Sequence, residues 1–111
     1  MTKQPEGLIQ ILLDSEAEYG DRDDAAMDLG SFEGEAVEQA LASIACDINA
    51  TEGLADSCGE SLAEIWCRRK SVNENVLVRL VPVSLRTALG TLHSCSPALA
   101  AEAGRIVLSR G

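Results

Sequence analysis

The sequence predicts an all-α protein, and both its composition and the spacing of its apolar residues support that fold class. Aromatic residues make up 3% of the 111 residues, so we expect a core of Leu, Ile, Val and Ala, which suits packed helices better than a β-sandwich. Apolar residues recur at spacings of three and four, as they do on one face of a helix. Segment 71–83 is rich in valine, but a lone strand would have nothing to pair with. At this length we expect a single domain, residues 1–111.

The first three helices are predicted from their apolar faces and from residues suited to helix ends. The first contains an aliphatic run from Leu8 to Leu13. In the second, Asp21 is the expected cap, Gly20 separates the helix from the preceding segment, and Gly30 suits a left-handed stop. The third places Val37, Leu41, Ile44 and Ile48 on one face. The predicted bounds are residues 5–15, 21–30 and 35–48.

The remaining helices are predicted from caps and prolines. Thr51 is the expected cap of the fourth helix, residues 51–70, and Asn73 begins a short helix. Pro82 opens the next helix, and Ser96 caps the last one with Pro97 at its first position. The apolar residues of the fourth helix share one arc: Leu54, Cys58, Leu62, Ile65 and Trp66.

The fourth helix also carries a carboxylate every four residues, at Glu52, Asp56, Glu60 and Glu64. Like charges at this spacing destabilise an isolated helix by about 0.2–0.5 kcal/mol per pair, so folding alone gives little reason for them. Asp24 and Asp28 form a similar pair on the second helix. If these two helices are neighbours, the carboxylates form one acidic patch. The predicted partner-binding residues are therefore Asp24, Asp28, Glu52, Asp56, Glu60 and Glu64, and a solvated helix face is the alternative.

The charge distribution indicates the kind of partner. Residues 1–64 carry a net charge of −14 and residues 65–111 carry +5, for a total of −9. An acidic surface repels phosphates, which argues against direct binding of DNA or RNA. It attracts a basic protein. Self-association through the basic C-terminal part stays open as a further possibility.

The four cysteines are predicted to be structural thiols. Cys46, Cys58, Cys67 and Cys95 are 12, 9 and 28 positions apart, without a CxxC pair. This spacing suits neither a zinc site nor a disulfide framework. The first three lie within apolar helical patterns and are expected to behave as small hydrophobic residues in the core. A redox or metal role is the alternative.

Catalysis and cofactors are not predicted. The single histidine, His93, has no evident partner, and no glycine-rich segment forms a phosphate-binding loop followed by lysine. We therefore expect no enzyme activity, no cofactor and no metal, although a metal-dependent or cysteine-based enzyme is a third alternative. The apolar run near the N-terminus is too short for a signal peptide or a membrane span, so a cytoplasmic location is expected.

A faint internal repeat relates the two halves of the predicted helical region. A shift of 36 residues superposes four apolar pairs: Ala26 on Leu62, Leu29 on Ile65, Leu41 on Leu77 and Ile44 on Leu80. The segment DRDDAAMDLGSFEGEAVEQALASIACD resembles a short bacterial HEAT-type repeat, and LADSCGESLAEIW resembles the first helix of a following repeat. Gly59 and Ser61 stand there where larger residues are more usual.

This resemblance implies a fold and a function. The fold would be a stack of antiparallel helical hairpins, a HEAT-like α-solenoid fragment. Small proteins similar to this one include immunity proteins of bacterial toxins delivered between cells. The resemblance therefore implies an immunity protein that neutralises a toxin by covering its basic surface with the acidic helical patch. An adaptor or assembly module without a toxin partner is the alternative.

Overall fold

A computed structural model describes residues 4–110 of the chain. Over this range the chain is all-helical and contains no strand, which confirms the predicted fold class. The helices are α1 (Glu6–Leu13), α2 (Tyr19–Leu29), α3 (Glu35–Ala45), α4 (Glu52–Arg69), α5 (Glu74–Leu77), α6 (Pro82–Cys95) and α7 (Pro97–Arg110).

Helix α4 is the centre of the structure. It packs against α2, α3 and α6, while α1 packs on α2, and α7 packs on α6 and α5. Its apolar arc is buried as the spacing predicted, and Trp66 is completely buried. The largest aliphatic core residues come from several helices: Leu12, Leu29, Leu41, Leu62, Leu77 and Leu92. The core is therefore a continuous aliphatic layer around one tryptophan, as the low aromatic content requires.

The contacts of α4 with its neighbours give the relative direction of three helices. Asp23 accepts a hydrogen bond from Ser57, and farther along both helices the carbonyl of Ala26 accepts one from Ser61. The residue numbers of the contacting pairs increase together along α2 and α4, so these helices run in the same direction. Between α4 and α6, Asp56 contacts Thr87 and Gly59 approaches Ser84 in the N-terminal halves of the two helices, and Cys67 contacts Cys95 at their C-terminal ends. Helices α2, α4 and α6 are thus parallel to one another.

The predicted caps of the later helices are confirmed. Thr51, Asn73 and Ser96 each accept a hydrogen bond from the backbone amide three residues farther on, at donor–acceptor distances of 3.4, 3.3 and 3.2 Å. Pro82 lies at the start of α6, where its missing amide hydrogen costs nothing.

The predicted start of α2 is wrong, whereas its predicted end is right, because the helix ends at Leu29 with Gly30 as the C-cap. The helix begins at Tyr19, so Gly20 lies inside it and Asp21 lies in its first turn without acting as the cap. A carboxylate in the first turn still interacts favourably with the helix dipole. Gly30 has φ −60°, so it is not a left-handed stop. Its lack of a side chain instead allows α2 to approach α4, because a Cβ there would lie 2.5 Å from a Glu64 carboxylate oxygen and 2.8 Å from the Ser61 hydroxyl oxygen.

The third helix is shorter than predicted. It ends at Ala45, and Ile48 is 78% exposed instead of buried. After the helix, the Asp47 carboxylate accepts a hydrogen bond from the backbone amide of Asn49 at 2.8 Å. This local turn competes with helical hydrogen bonding and leads the chain to Thr51, where α4 begins.

The two small residues of α4 that depart from the HEAT-like pattern lie where helices approach closely. A Cβ at Gly59 would lie 2.7 Å from the backbone oxygen of Ser84 on α6. On the other side of α4, the Ser61 hydroxyl donates to the Ala26 carbonyl of α2 at 2.6 Å. The Ser84 hydroxyl is also buried and donates to the Ala45 carbonyl at 2.7 Å. Larger residues would separate α4 from both neighbours.

The cysteine prediction is partly wrong. Cys67 and Cys95 form a disulfide that joins the end of α4 to the end of α6, with their Cα atoms 6.4 Å apart. The 28-residue separation conceals this approach, because only helix packing brings the two ends together. Cys58 is a buried free thiol as predicted; burial and the negative charge of Asp23 raise its pKa to about 12. Cys46 is free and half-buried.

None of the helices described for residues 4–110 combines the length and the apolar character that crossing a membrane requires.

Candidate functional site

The predicted partner-binding residues lie in two groups. Helices α2 and α4 are neighbours, as expected. However, α2 faces α4 through Asp23, Ala26 and Gly30, whereas Asp24 and Asp28 line a cleft beside α1. No described contact or cleft joins this pair to the carboxylates of α4, because a helix can present only one side to each neighbour.

The first group belongs to a cleft between α1 and α2, which we call the acidic cleft. Its volume is about 300 Å³. Asp21, Asp24 and Asp28 lie along one flank of α2, since residues three and four apart share a helix side. The floor is aliphatic. The cleft is lined by Leu8, Ile11, Ala17, Asp21, Asp24, Ala25 and Asp28.

Sequence features on both helices hold the acidic cleft in shape. Leu12 is the buried residue of α1. The Arg22 guanidinium of α2 donates a hydrogen bond from Nε to the Leu12 carbonyl at 2.9 Å. This bond satisfies a carbonyl in the last turn of α1 and fixes α1 against α2. Ile11, on the cleft side, stays 39% exposed. A partner that enters the cleft therefore meets an apolar surface next to carboxylates.

The second group, the α4 acidic stripe, consists of Glu52, Asp56, Glu60 and Glu64. Glu52 and Glu64 are exposed, and the other two are half-buried. Asp56 accepts a hydrogen bond from the Thr87 hydroxyl of α6. It therefore helps to hold α6 against α4. At this position a structural role is visible in addition to the predicted binding role.

Within the α4 acidic stripe, Glu64 at the C-terminal end has a shifted pKa. Partial burial raises the pKa of Glu64, and the negative charge of Glu60 raises it further, while Arg68 acts in the opposite direction. Arg68 makes its ion pair with Glu33, at 2.7 Å. Arg68 therefore compensates Glu64 only in part, and charge repulsion between Glu60 and Glu64 persists.

None of the six predicted carboxylates forms an ion pair within residues 4–110. The ion pairs found there are Arg68–Glu33, Arg69–Glu38 and Arg110–Glu74. The arginines that form ion pairs among the described residues therefore pair with other acids, and the acidic cleft and the α4 acidic stripe keep their negative potential. Such a potential attracts cationic groups from solution and raises the rate of encounter with a basic partner.

A buried polar cluster was missed at the sequence level. The Glu38 carboxylate of α3 accepts the indole N–H of Trp66 at 2.6 Å and two guanidinium N–H groups of Arg69 at 3.1 Å. Burial raises the pKa of Glu38, but the hydrogen bonds from Arg69 and Trp66 and the charge of Arg69 outweigh it, so the pKa is lowered. One signal was available: Glu38 is three and four residues from Leu41 and Ala42, on the buried face of α3. The role of this cluster is structural.

A larger cleft, about 530 Å³, lies at the disulfide. Lys70 and Arg105 bring positive charge to it, and Glu102 brings negative charge. Lys70 and Arg105 are exposed. The charges are mixed and solvated, so the cleft shows no preference for one class of ligand.

The described residues contain no group of three or more His, Cys, Asp or Glu placed to hold a metal ion. His93 is exposed in the last turn of α6, where a cation interacts favourably with the helix dipole.

Comparison with protein-family models, curated proteins and solved structures gives no match to this chain.

Proposed function

We propose that this chain is a protein-binding domain whose acidic surfaces dock on a basic protein. The observation that carries the proposal is the acidic cleft, where uncompensated carboxylates border an exposed aliphatic floor. An aliphatic floor contributes affinity in proportion to the area it buries, at about 25 cal/mol per Å². The carboxylates increase the rate of association and fix the orientation of the partner. This combination suits a partner that presents a Lys or Arg beside an apolar side chain.

The proposed biological role is that of an immunity protein, which neutralises a toxin domain by covering its basic cleft. Occlusion requires only a rigid surface of complementary charge, and it does not require chemistry from the immunity protein. Asp24 and Asp28 are the central contacts in this proposal. The α4 acidic stripe extends the negative potential, with Glu60 and Glu64 as its available carboxylates, because Asp56 is already bonded to Thr87.

The arrangement of the helices supports the proposed HEAT-like stack. In a stack of hairpins, the first helices of successive repeats lie side by side and run in the same direction. Helices α2, α4 and α6 have both properties, with contacts between residues 34 and 35 apart for α2 and α4, and 31 and 28 apart for α4 and α6. The second helices are unequal, since α3 has 11 residues and α5 has 4.

The test is a binding measurement with charge-reversed variants. The wild-type chain, used as bait in its native cell, captures candidate partners, and each is purified and titrated. Two double variants separate the two surfaces: D24K/D28K changes the acidic cleft, and E60K/E64K changes the α4 acidic stripe. The variant E6K/E35K changes net charge equally at exposed positions outside both surfaces.

We expect D24K/D28K to weaken binding of a basic partner roughly tenfold or more, as loss of a close charge pair does. The effect should diminish with salt, because exposed charges are screened over about 10 Å at 0.1 M ionic strength. Equal losses in all three variants would show that only net charge matters, and the acidic cleft would not be a site. A captured toxin domain whose activity the chain suppresses supports the immunity role. A basic partner without toxin activity supports the adaptor alternative.

A further inference from the structure

We propose that this chain associates with a second copy of itself head to tail, with the outer face of α7 of one copy seated in the acidic cleft of the next. The proposal uses the same cleft as the proposed function. The group that occupies the cleft is then α7 of a second copy of the same chain.

The outer face of α7 is exposed, and its residues Ala98 and Arg105 also border the cleft at the disulfide. Ala98, Ala101, Arg105 and Leu108 are all exposed, and their spacings of three, four and three residues place them on one side of the helix. The opposite side contains the buried Leu99 and Ala103. Glu102 is exposed beside this face, one turn before Arg105. The outer face thus combines small and aliphatic residues with one arginine and one glutamate.

Leu108 is the most exposed large apolar side chain of the described residues, at 83%. Single exposed apolar residues are common on protein surfaces, so Leu108 alone would carry no inference. It lies one turn from Arg105, however, and Arg105 makes no ion pair within residues 4–110. An aliphatic group and a free cation therefore stand next to each other on one helix side.

The acidic cleft offers the complementary pair of features at a matching spacing. Leu8 and Ile11 line the cleft with apolar surface, and Asp24 and Asp28 line it with carboxylates. In the proposed contact, the first pair would meet Leu108 and the second would meet Arg105. Three residues along a helix rise about 4.5 Å and four rise about 6 Å, so the groups on both helices recur over similar distances. Docking would bury Leu108 and pair the guanidinium with a carboxylate at once.

The distribution of charge over the whole chain favours a second copy as the occupant. Residues 1–64 carry −14 and residues 65–111 carry +5, so the two ends of the molecule attract each other between copies. The two contacting surfaces are different, which makes the interface heterologous, and such an interface adds copies in an open chain unless the rotation closes a ring. A basic partner protein would compete with α7 for the same cleft.

A mixing experiment tests this geometry. The variant D24K/D28K has a blocked cleft and an intact α7, and the variant R105E/L108E has a blocked α7 and an intact cleft. Sedimentation velocity gives the mass of each chain alone and of the mixture. The control E6K/E35K changes exposed acids outside both surfaces, and circular dichroism checks that every variant is helical.

We expect the wild type and E6K/E35K to associate in a concentration-dependent manner that weakens with salt. Each blocked variant alone should associate roughly tenfold more weakly or not at all. Their mixture should form one-to-one dimers and nothing larger, because only one pair of intact surfaces remains. If D24K/D28K does not fold, D24N/D28N blocks the cleft without reversing the charge.

Three outcomes would overturn the proposal. A wild type that stays monomeric at all accessible concentrations excludes self-association. Association of both blocked variants alone places the interface elsewhere. A mixture without dimers excludes the contact between α7 and the acidic cleft. Because these assays contain only copies of this chain, they leave binding of a basic partner to its own titration, so the two proposals fail separately.

Discussion

Replacing Glu38 with alanine should destabilise the protein strongly, although the residue is charged and lies in the first turn of α3. The substitution leaves the indole N–H of Trp66 buried without an acceptor, which costs about 1–3 kcal/mol. It also removes the ion pair with the half-exposed Arg69, which adds about 0.5–1 kcal/mol. The expected loss is about 1.5–4 kcal/mol, or roughly 6–17 °C in Tm for a domain of this size.

The assay is chemical unfolding, followed by circular dichroism and by the fluorescence of the single tryptophan. Glu35→Ala is the matched control, because Glu35 is an exposed glutamate in the same first turn of α3, three residues before Glu38, and its loss should cost about 0.5 kcal/mol or less. A double-mutant cycle with Glu38→Ala and Trp66→Phe isolates the hydrogen bond. Strictly additive effects, or a loss at Glu38 no larger than at Glu35, would refute this account.

The same cluster predicts a pH dependence with a defined sign. The pKa of Glu38 is lowered in the folded protein from its ordinary value of 4.5. Its contribution to stability is therefore complete above that value and is lost as the pH falls through the folded pKa. Glu38→Gln should remove this part of the acid-induced loss. An unchanged pH profile in Glu38→Gln would contradict the assignment.

Three further predictions concern helix packing, the disulfide and the α4 acidic stripe. Gly59→Ala should cost about 1–3 kcal/mol of stability, since its Cβ would meet the backbone of α6. Gly90→Ala, with nothing within 4 Å, should stabilise by about 0.5–1 kcal/mol; thermal unfolding that ranks these variants equally would contradict the close approach. Reducing Cys67–Cys95, which closes a 28-residue separation, should lower the free energy of unfolding by about 3.5 kcal/mol, and an unfolding midpoint insensitive to reductant would argue against the bond. The pKa of Glu64 is raised, so Glu64→Gln should stabilise the protein by about 0.2–0.5 kcal/mol at neutral pH. This gain in stability should vanish below pH 4.5, where the wild-type carboxyl is protonated. A gain that persists in acid would show that it does not come from removing the repulsion between Glu60 and Glu64.

Local signals account for the parts of the structure that could be predicted. The side chains of Thr51, Asn73 and Ser96 accept hydrogen bonds from backbone amides three residues farther along the chain. Their capping role can therefore be predicted without tertiary information. Helical spacing likewise identified the buried arc of α4, because burial on a helix follows a period of 3.6 residues. The failures at α2 and α3 occurred at helix ends, where a first-turn aspartate resembles a cap and a local turn interrupts an apolar pattern.

The sequence by itself determined that this chain is helical, where most of its helices lie, and that acidic residues outnumber their possible partners. Only the tertiary structure decided which groups meet. It divided the six carboxylates between the acidic cleft and the α4 acidic stripe, joined Cys67 to Cys95, and placed Glu38 against Trp66 and Arg69. The physical reason is distance along the chain: helix formation depends on residues three and four apart, whereas these contacts join residues 28 to 31 apart, and their geometry depends on how α3, α4 and α6 pack.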